Sequence, residues 1–419
     1  MRRRASLPLT RLLVLASCVT AAVATSPEPA TAATSPTLSS SVSVVQGPIG
    51  PGLATHPLEL YASAADAFGT PLVTATSTPT GYTPAQVKAY LGLTGTGTGQ
   101  TIAIVTAYDA PTIASDLAKF NATFSLPAPP TFKKVSQTGS TTALPAVDAG
   151  WATETSLDVE WAHAVAPGAA ILLVEASSNS LANLNTAISY ASKQAGVTVI
   201  SNSWGSLEIQ GETTLDGYCK LTTAVCVAAA GDVGNPGTYP AYNPYVLAVG
   251  GTKLTLTSAG AVTSEASWSG SGGGQSVWEP KPSYQNAVNT STKRGIPDVS
   301  YDADPATGFA VYDSTPYTGQ AGWFQMGGTS AGAPQWAGIL AATNQLRKAA
   351  GKATFAASKT TTFPLHSALY GLSSGLADIV TGSTNGTCGA VCTAGTGYDF
   401  VTGRGSPRVG IEAALKAAP

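Results

Sequence analysis

A chain of 419 residues, 43% of them hydrophobic, is long enough to bury one large core or two modest ones. Only 11% of the residues are charged and the formal net charge is −2, which excludes the basic surface typical of proteins that bind nucleic acid or membranes. The low charge density also predicts tolerance of acid, because few Lys and Arg side chains are left to repel one another once the carboxylates are protonated.

The first 33 residues have the features of a signal peptide. A basic start at residues 2–4 precedes an apolar run over residues 12–24 and small residues that suit a signal peptidase. We therefore expect secretion to the extracellular space. The sequence LASC also matches a lipoprotein box that would anchor the chain at Cys18, an alternative we rank lower because the apolar run continues past it. No later segment reaches the roughly 18 uninterrupted apolar residues that span a membrane.

The rest of the chain divides by composition into two parts. Residues 34–80 are rich in Ser, Thr, Pro and Gly with little periodicity, which predicts an extended leader or short pro-segment. Residues 81–419 alternate between strand and helix patterns. The predicted strands are residues 101–106, 170–174, 197–201, 224–230 and 245–249, and the predicted helices are residues 112–124, 154–165 and 181–195. This alternation predicts an α/β fold whose parallel sheet is covered on both faces, with site residues at the carboxyl ends of the strands.

Four cysteines remain after removal of the signal peptide, in an oxidising compartment. They allow three pairings, of which we favour the two local ones, Cys219–Cys226 and Cys388–Cys392. A zinc site is the alternative, but these spacings without a nearby histidine are a weak metal signal.

A candidate nucleophile, Ser330, lies in the sequence GGTSAGAPQW. The apolar spacing after Gly328 predicts a helix with Pro334 in its first turn, so Ser330 falls at a helix N-terminus, where backbone N–H groups stabilise a developing oxyanion. On local sequence alone the commoner role for Thr329 or Ser330 is a helix N-cap. A nucleophilic serine also needs a base beside it.

None of the three histidines is in a convincing context for that base. His56 falls in the leader, His163 at the end of an Ala- and Val-rich helix, and His366 after a Thr-rich loop. The other candidates are acidic. Glu154 and Asp158 are four residues apart, so a helix places both carboxylates on one face as a coupled pair, although surface acids at this spacing are common.

A third acid, Asp232, ends the apolar strand in AAAGDVG, at the expected edge of the site. An aspartate at such a position is either a turn former or, if it stays protonated, a hydrogen-bond donor.

Several motifs in order resemble the sedolisin family of serine-carboxyl peptidases, which are acid-acting relatives of subtilisin. The motifs are ETSLD (154–158), VEWAHAVAPGA (159–169), SNSWG (201–205), AAAGDVG (228–234), YPAYNPYVLAVGGT (239–252), PDVSYDADP (297–305) and GGTSAGAP (327–334). The resemblance runs from about residue 81 to the end and implies a subtilisin-like fold, a doubly wound, mainly parallel sheet with helices on both faces. The histidine motif HGTH of subtilisin is absent, and Glu154 stands in its place.

The resemblance implies a role for each candidate. Ser330 would be the nucleophile, Glu154 the general base, Asp158 its hydrogen-bond partner, and Asp232 the oxyanion-hole donor. The substrates would be proteins or peptides. We expect an endopeptidase, with removal of tripeptides from an N-terminus left open, and a monomer.

The resemblance also implies a calcium site near the C-terminus, in the sequence ADIVTGSTNG…AGTGYDFVTGRGSP. Asp378 and Asp399 would bind Ca²⁺ through their side chains, and Ile379, Gly395 and Gly397 through their carbonyl groups, since Ca²⁺ takes six or more oxygen ligands. Without the family context the segment is a turn-rich loop.

Two other functions compete with this interpretation. A secreted, non-catalytic peptide-binding protein on a peptidase scaffold would not be expected to keep all four catalytic positions. A glycosidase would use Glu154 and Asp158 as its acid pair, but carboxylates one helical turn apart do not flank a bond from opposite sides. Family members usually carry a large N-terminal prodomain that assists folding and blocks the site. Either this chain folds unaided, or residues 34–80 serve as a short substitute.

Overall fold

The structure is a computed structural model that describes residues 41–43, 52–56, 59–61, 64–65, 71–72, 74–360 and 362–419. The predicted signal peptide, the lipoprotein alternative at Cys18 and much of the predicted leader lie outside the described residues. Within the described part, no helix is both long and apolar enough to cross a membrane.

The helices of the described residues are α1 (Pro84–Leu91), α2 (Ile113–Phe124), α3 (Ala149–Val165), α4 (Leu181–Ala191), α5 (Thr329–Ala349), α6 (Pro364–Tyr370) and α7 (Ile411–Ala417). The strands are β1 (Ser41–Ser43), β2 (Glu59–Tyr61), β3 (Ala64–Ala65), β4 (Pro71–Leu72), β5 (Thr101–Ala107), β6 (Phe132–Ser136), β7 (Ala170–Ala176), β8 (Val197–Asn202), β9 (Val225–Ala229), β10 (Val246–Leu256), β11 (Val262–Ser267), β12 (Gly274–Pro280), β13 (Lys293–Ile296), β14 (Val299–Asp302), β15 (Phe309–Tyr317), β16 (Gln320–Gly327), β17 (Leu376–Ala377) and β18 (Ser406–Pro407). Each predicted strand and helix corresponds to one of these elements.

The centre of the fold is a mainly parallel sheet in the order β11-β10-β9-β8-β5-β7-β6, with β14 also paired to β10. Every pair in it is parallel except β10 with β11. Alternate side chains of β5 contact opposite layers. Ile102 and Ile104 join the core beneath α3 and α5, whereas Ala103 and Val105 join the core beneath α4. The predicted doubly covered, subtilisin-like α/β fold is therefore confirmed.

A second, antiparallel sheet in the order β1-β2-β16-β15 positions the candidate nucleophile. The β15–β16 hairpin packs against α3, and β16 ends at Gly327, directly before α5. Strand β2 of the leader pairs with the end of β16, at Met326 and Gly327. The sequence pattern did not predict these strands, because the apolar and polar residues of β15 do not alternate cleanly.

Two helix boundaries differ from the predicted ones. Helix α3 begins at Ala149 and not at 154, because the Asp148 side chain caps it by accepting a hydrogen bond from the Trp151 amide at 3.0 Å. Helix α4 ends at Ala191, four residues before the predicted end. The earlier start of α3 places Glu154 well inside the helix, with a full turn before it.

The four cysteines form the two disulfides that we favoured from spacing, Cys219–Cys226 and Cys388–Cys392. The first bridges the segment before β9 to β9 itself. The second closes a short loop between β17 and β18. These bonds leave no thiolates for the alternative zinc site.

A buried charge cluster joins β13, β14 and α6. Both terminal nitrogens of Arg294 donate to Asp298, at 2.8 and 2.7 Å, and Tyr370 Oη donates to the same carboxylate at 2.8 Å. Burial alone would raise the pKa of Asp298, but Arg294 and His366 hold it well below its usual range. The carboxylate is therefore ionised and fully paired inside the protein.

Replacing this buried arginine tests how much the cluster stabilises the fold. Arg294→Met leaves Asp298 buried without its cation, and we expect it to lower the free energy of unfolding by about 3–5 kcal/mol. Lys253→Met is the control, because Lys253 is half exposed in its pair with Asp304 and should cost under about 1 kcal/mol. Urea unfolding near neutral pH measures both, and equal effects would contradict the role given to Arg294.

Candidate active site

Ser330 is the second residue of α5, and the backbone before it is held in a close turn. Gly328 has a φ of 92°, in the region that favours glycine, and its amide donates to the Ala303 carbonyl at 2.6 Å. At Gly327 a Cβ atom would lie 2.5 Å from the Ala303 carbonyl oxygen, so no side chain fits there. The pair of glycines in GGTS therefore follows from close backbone packing.

The N-cap alternative for Thr329 and Ser330 is wrong. The N-cap residue is Gly328, and no side chain caps the helix. Ser330 is free of a capping role, and its backbone lies in the first turn of α5, at the positive end of the helix dipole.

Glu154 and Asp158 lie one turn apart on α3, which packs against α5. Both side chains are 0% exposed, as is Ser330, so the predicted face of the helix is buried and not on the surface. Among the described residues, the two carboxyl oxygens of Glu154 have no hydrogen-bond partner of good geometry, and the same is true of Ser330 Oγ. They are nevertheless close enough for the hydroxyl to act on the pKa of Glu154.

The two carboxyl groups titrate as a pair whose pKa values are raised. Burial is the largest cause for both, and the negative charge of Asp158 raises the pKa of Glu154 further. The Ser330 hydroxyl lowers the pKa of Glu154. Two buried carboxyls in contact cannot both ionise cheaply, so the pair keeps one proton over a wide pH range.

Ser203, from the SNSWG motif, connects this pair to the backbone of the nucleophile. Its Oγ donates to Asp158 Oδ1 at 2.5 Å and lies 3.3 Å from the Ser330 carbonyl oxygen. That carbonyl lacks its usual helix partner, because the residue four positions on is Pro334, which has no N–H. Pro334 therefore lies inside the helix and not in its first turn as we predicted, and it frees an acceptor for Ser203.

Asp232 reaches the same helix terminus from the loop after β9. Its Oδ1 accepts hydrogen bonds from the Thr329 amide at 2.8 Å and from Thr329 Oγ1 at 2.7 Å. The negative charge of Asp232 also raises the pKa of Glu154. All four residues implied by the resemblance thus converge on the start of α5.

His56, whose sequence context does not indicate a catalytic base, also lies at this site. Its Nδ1 is 3.6 Å from Glu154 Oε2, and its ring makes an edge contact with Trp151, with centroids 4.9 Å apart. The side chain is 1% exposed, and burial lowers the pKa of His56 to about 3. No pattern near residue 56 could have predicted this contact, because it depends on the path of the leader.

The other two histidines are packed elsewhere. His163 Nε2 lies 2.8 Å from the Pro127 carbonyl, and His366 Nε2 lies 3.0 Å from the Val246 carbonyl. Both are buried. Both histidines therefore lie in the core, as the Ala- and Val-rich context of His163 indicates.

A stretch of backbone that pairs with an extended chain lies beside the site. Thr55 and Gly205 exchange both backbone hydrogen bonds at 2.8 Å, and the Ala54 amide donates to the Asn179 carbonyl at 2.9 Å. Trp204, the neighbour of Gly205 in SNSWG, is fully buried and belongs to the core beneath α4. The motif therefore supplies backbone, and not an exposed indole, to whatever pairs with it.

The five residues of the implied calcium site come together between β17 and β18. Asp378 Oδ2 accepts the Gly397 amide at 2.7 Å, and Asp399 Oδ2 accepts the Gly395 amide at 2.9 Å, so the glycine loop folds around both carboxylates. Gly397 has a φ of 87°. In the described chain, no backbone amide donates to the carbonyl groups of these two glycines or of Ile379, and the Thr402 hydroxyl lies 3.4 Å from the Ile379 carbonyl oxygen. Two carboxylates and three carbonyl oxygens fit a Ca²⁺ ion completed by water.

Comparisons with known proteins agree with this geometry. The model of the Subtilase family matches residues 147–389, more than half of the chain. Kumamolisin of Bacillus sp. (strain MN-32) is 34% identical over 370 residues, which is 78% of this chain and 62% of kumamolisin. Tripeptidyl-peptidase sed4 of Aspergillus fumigatus is 30% identical over 269 residues, 50% of this chain and 42% of that protein. The chain thus spans less than two thirds of the length of either relative.

A solved structure extends the likeness to the fold. Pseudomonas sedolisin, a serine-carboxyl proteinase complexed with two molecules of pseudo-iodotyrostatin, superposes with a TM-score of 0.66 at 28% identity. The match covers 81% of this chain and 98% of the sedolisin chain. Taken together, these findings show that the chain belongs to the subtilase family and, within it, to the sedolisins.

Proposed function

We propose that the protein is a secreted, acid-acting serine-carboxyl peptidase that hydrolyses peptide bonds through an acyl-enzyme on Ser330. One observation carries the proposal: the Ser330 hydroxyl is close enough to the buried carboxyl group of Glu154 to lower its pKa, so Glu154 can take the hydroxyl proton directly. The fold and family support a peptidase reaction. The N-terminal sequence supports secretion.

The proposed reaction begins with attack of Ser330 Oγ on the scissile carbonyl carbon, while the hydroxyl proton passes to Glu154. Asp158, carrying the shared proton of the pair, donates to Glu154 and keeps it ionised until that transfer. The negative charge on the carbonyl oxygen develops beside the N-terminus of α5, where a protonated Asp232 donates to it. Glu154 then gives its proton to the leaving amine, and water hydrolyses the acyl-enzyme by the same steps.

This scheme sets the pH range. Catalysis needs one proton on the Glu154–Asp158 pair and another on Asp232. Raising the pH removes one or the other of these protons, whereas strong acid adds a second proton to the pair and leaves no base. Activity should therefore be bell-shaped and confined to acid, where a histidine base would be protonated and inactive.

The extended segment paired at Gly205 supports a peptide substrate. An edge that exchanges two backbone hydrogen bonds with one extended chain offers the same bonds to another, as strand addition requires. We further propose endopeptidase activity. Tripeptidyl peptidases among the relatives make removal of tripeptides the competing possibility.

The first prediction concerns the nucleophile and the base. Ser330→Ala should lower kcat/KM by about 10³-fold or more at every pH, and Glu154→Gln nearly as much, because each removes one end of the proton transfer. The measurement is hydrolysis of an N-terminally blocked, internally quenched peptide from about pH 3 to about pH 8. Circular dichroism and melting temperature confirm that both variants are folded.

Other outcomes of that assay are equally informative. An activity optimum at neutral pH would mean that the base is wrong. Hydrolysis only of peptides with a free N-terminus would replace the endopeptidase proposal with a tripeptidyl peptidase. No hydrolysis by the wild type after removal of the leader would favour the peptide-binding alternative.

The second prediction concerns the oxyanion donor. Asp232→Asn should cost less than about tenfold at the optimum and extend activity to higher pH, because an amide donates at any pH and can still accept from Thr329. Asp232→Ala, which removes the donor, should cost about 10²–10³-fold in kcat. Steady-state kinetics across the pH range compares the two, and an Asp232→Asn variant as inactive as Ser330→Ala throughout would rule out simple donation.

We also propose that Ca²⁺ binds between the carboxylates of Asp378 and Asp399 and the carbonyl groups of Ile379, Gly395 and Gly397. The ion would tie β17 to β18 by replacing the mutual repulsion of two nearby carboxylates with attraction. The Cys388–Cys392 disulfide cross-links the loop that connects the two halves of the site. Its effect would be on stability, because the residues of the proton transfer lie on other elements.

The third prediction tests this ion by unfolding. A hundredfold excess of Ca²⁺ over its Kd should stabilise the protein by about 2.7 kcal/mol, and a chelator should remove the gain. Asp399→Asn should abolish the response. Asp304→Asn is the matched control, since Asp304 also accepts a turn amide, that of Ala306, but lies outside the loop. A melting temperature that ignores Ca²⁺ in the wild type would count against the site.

A further inference from the structure

The loop that carries Asp232 is in direct contact with a second loop of the described chain. We call residues 231–235 the Asp232 loop and residues 382–394 the disulfide loop. The Asn235 amide donates to the Asn385 carbonyl at 3.0 Å. The glycine before Asn235 has a φ of 85°, and a Cβ atom on it would lie 2.4 Å from the same carbonyl oxygen. The two loops therefore touch through their backbones, within three residues of Asp232.

A glycine-rich segment, residues 268–274, is hydrogen-bonded to both loops. On one side, the Gly272 amide donates to the Asp232 loop at 2.7 Å, and the Gly270 carbonyl accepts an amide of that loop at 3.0 Å. On the other side, the Ser269 carbonyl accepts the Asn385 amide at 2.7 Å. The position of the Asp232 loop therefore depends on the disulfide loop both directly and through this segment.

Thr384 attaches the disulfide loop to the glycine-rich segment through its side chain, which is 4% exposed. Its Oγ1 donates to the Ser271 carbonyl at 2.5 Å and lies 3.1 Å from the Ser269 carbonyl oxygen. The Thr384 amide donates to the carbonyl of Cys392, a member of the disulfide that closes the loop, at 2.9 Å. Cys392 Sγ lies 3.9 Å from the Asn385 carbonyl oxygen. The disulfide therefore supports the residue that contacts the Asp232 loop.

We propose that the disulfide loop positions Asp232 for the oxyanion, with Thr384 as the positioning residue. The inference rests on the proposed role of Asp232 as the oxyanion donor. Thr329 holds the first part of the Asp232 loop, because its Oγ1 accepts the Gly231 amide at 3.1 Å and donates to the Asp232 carboxyl group. The disulfide loop holds the last part. Both ends matter, because a displacement of a donor by about 1 Å can cost about 10²-fold in rate.

The first test is steady-state hydrolysis of the blocked peptide at the pH optimum. Thr384→Val removes the hydroxyl and keeps the shape of the side chain. It should lower kcat about tenfold and change KM less than about twofold, because the oxyanion contact forms only in the transition state. Thr384→Ser keeps the donor and should have a kcat within about twofold of the wild type. Thr387→Val is the matched control in the same loop, since Thr387 is exposed, and should match the wild type.

The second test is a double-mutant cycle with Asp232→Ala. That background has already lost the donor, so Thr384→Val should lower kcat there by less than about twofold. The same result is expected when Cys388→Ser and Cys392→Ser together open the disulfide loop, a change that leaves Thr384 in place. An equal loss in both backgrounds would show a general effect on the fold and would overturn the inference. A loss that appears in KM would overturn it as well.

A third measurement does not depend on activity and separates the inference from the proposed function. In full chains that also carry Ser330→Ala, hydrogen exchange of the Asn235 amide, read by mass spectrometry, should be at least about tenfold faster with Thr384→Val than with Thr387→Val. Equal exchange would overturn the inference. Faster exchange with no hydrolysis by the wild type would support the contact between the loops and remove the peptidase proposal. Faster exchange with an unchanged kcat in Thr384→Val would overturn the positioning role.

Discussion

The site depends on the burial of two carboxyl groups, Glu154 and Asp158, in direct contact on one helix. Neither has a Lys or Arg partner within ion-pair distance in the described chain. A buried carboxylate without a cation is costly, and a second one beside it is more so. The pair must therefore share a proton. This requirement follows from the burial of one face of α3 and does not depend on a bound substrate.

Burial alone does not decide how a carboxyl group titrates. Asp298 is as deeply buried as Glu154, yet the pKa of Asp298 is lowered, because Arg294 and His366 outweigh desolvation. Glu160, on the same helix, accepts a hydrogen bond from the Tyr312 amide, and burial raises its pKa well above the usual range. The fold thus contains two kinds of buried carboxyl group. Asp298 is paired with a cation and ionised, whereas the carboxyl groups without a Lys or Arg partner retain protons.

The sequence predicted the site better than its surroundings. Apolar runs such as residues 101–106 are local signals, and a spacing of four in a helix brings Glu154 and Asp158 together wherever that helix begins. The start of α3 was wrong because one cap, Asp148, decided it. The contact of His56 with Glu154 was beyond prediction, since it joins residues 98 positions apart through the backbone pairing of an irregular leader.

The contact of His56 with Glu154 shows how burial acts on two neighbouring titratable groups. Burial lowers the pKa of His56 to about 3, so the imidazole that lies 3.6 Å from Glu154 Oε2 is neutral above that range. It therefore offers the carboxyl group no compensating positive charge, and desolvation remains the largest cause of the raised pKa of Glu154. The same burial thus removes the charge of the histidine and keeps a proton on the carboxyl pair.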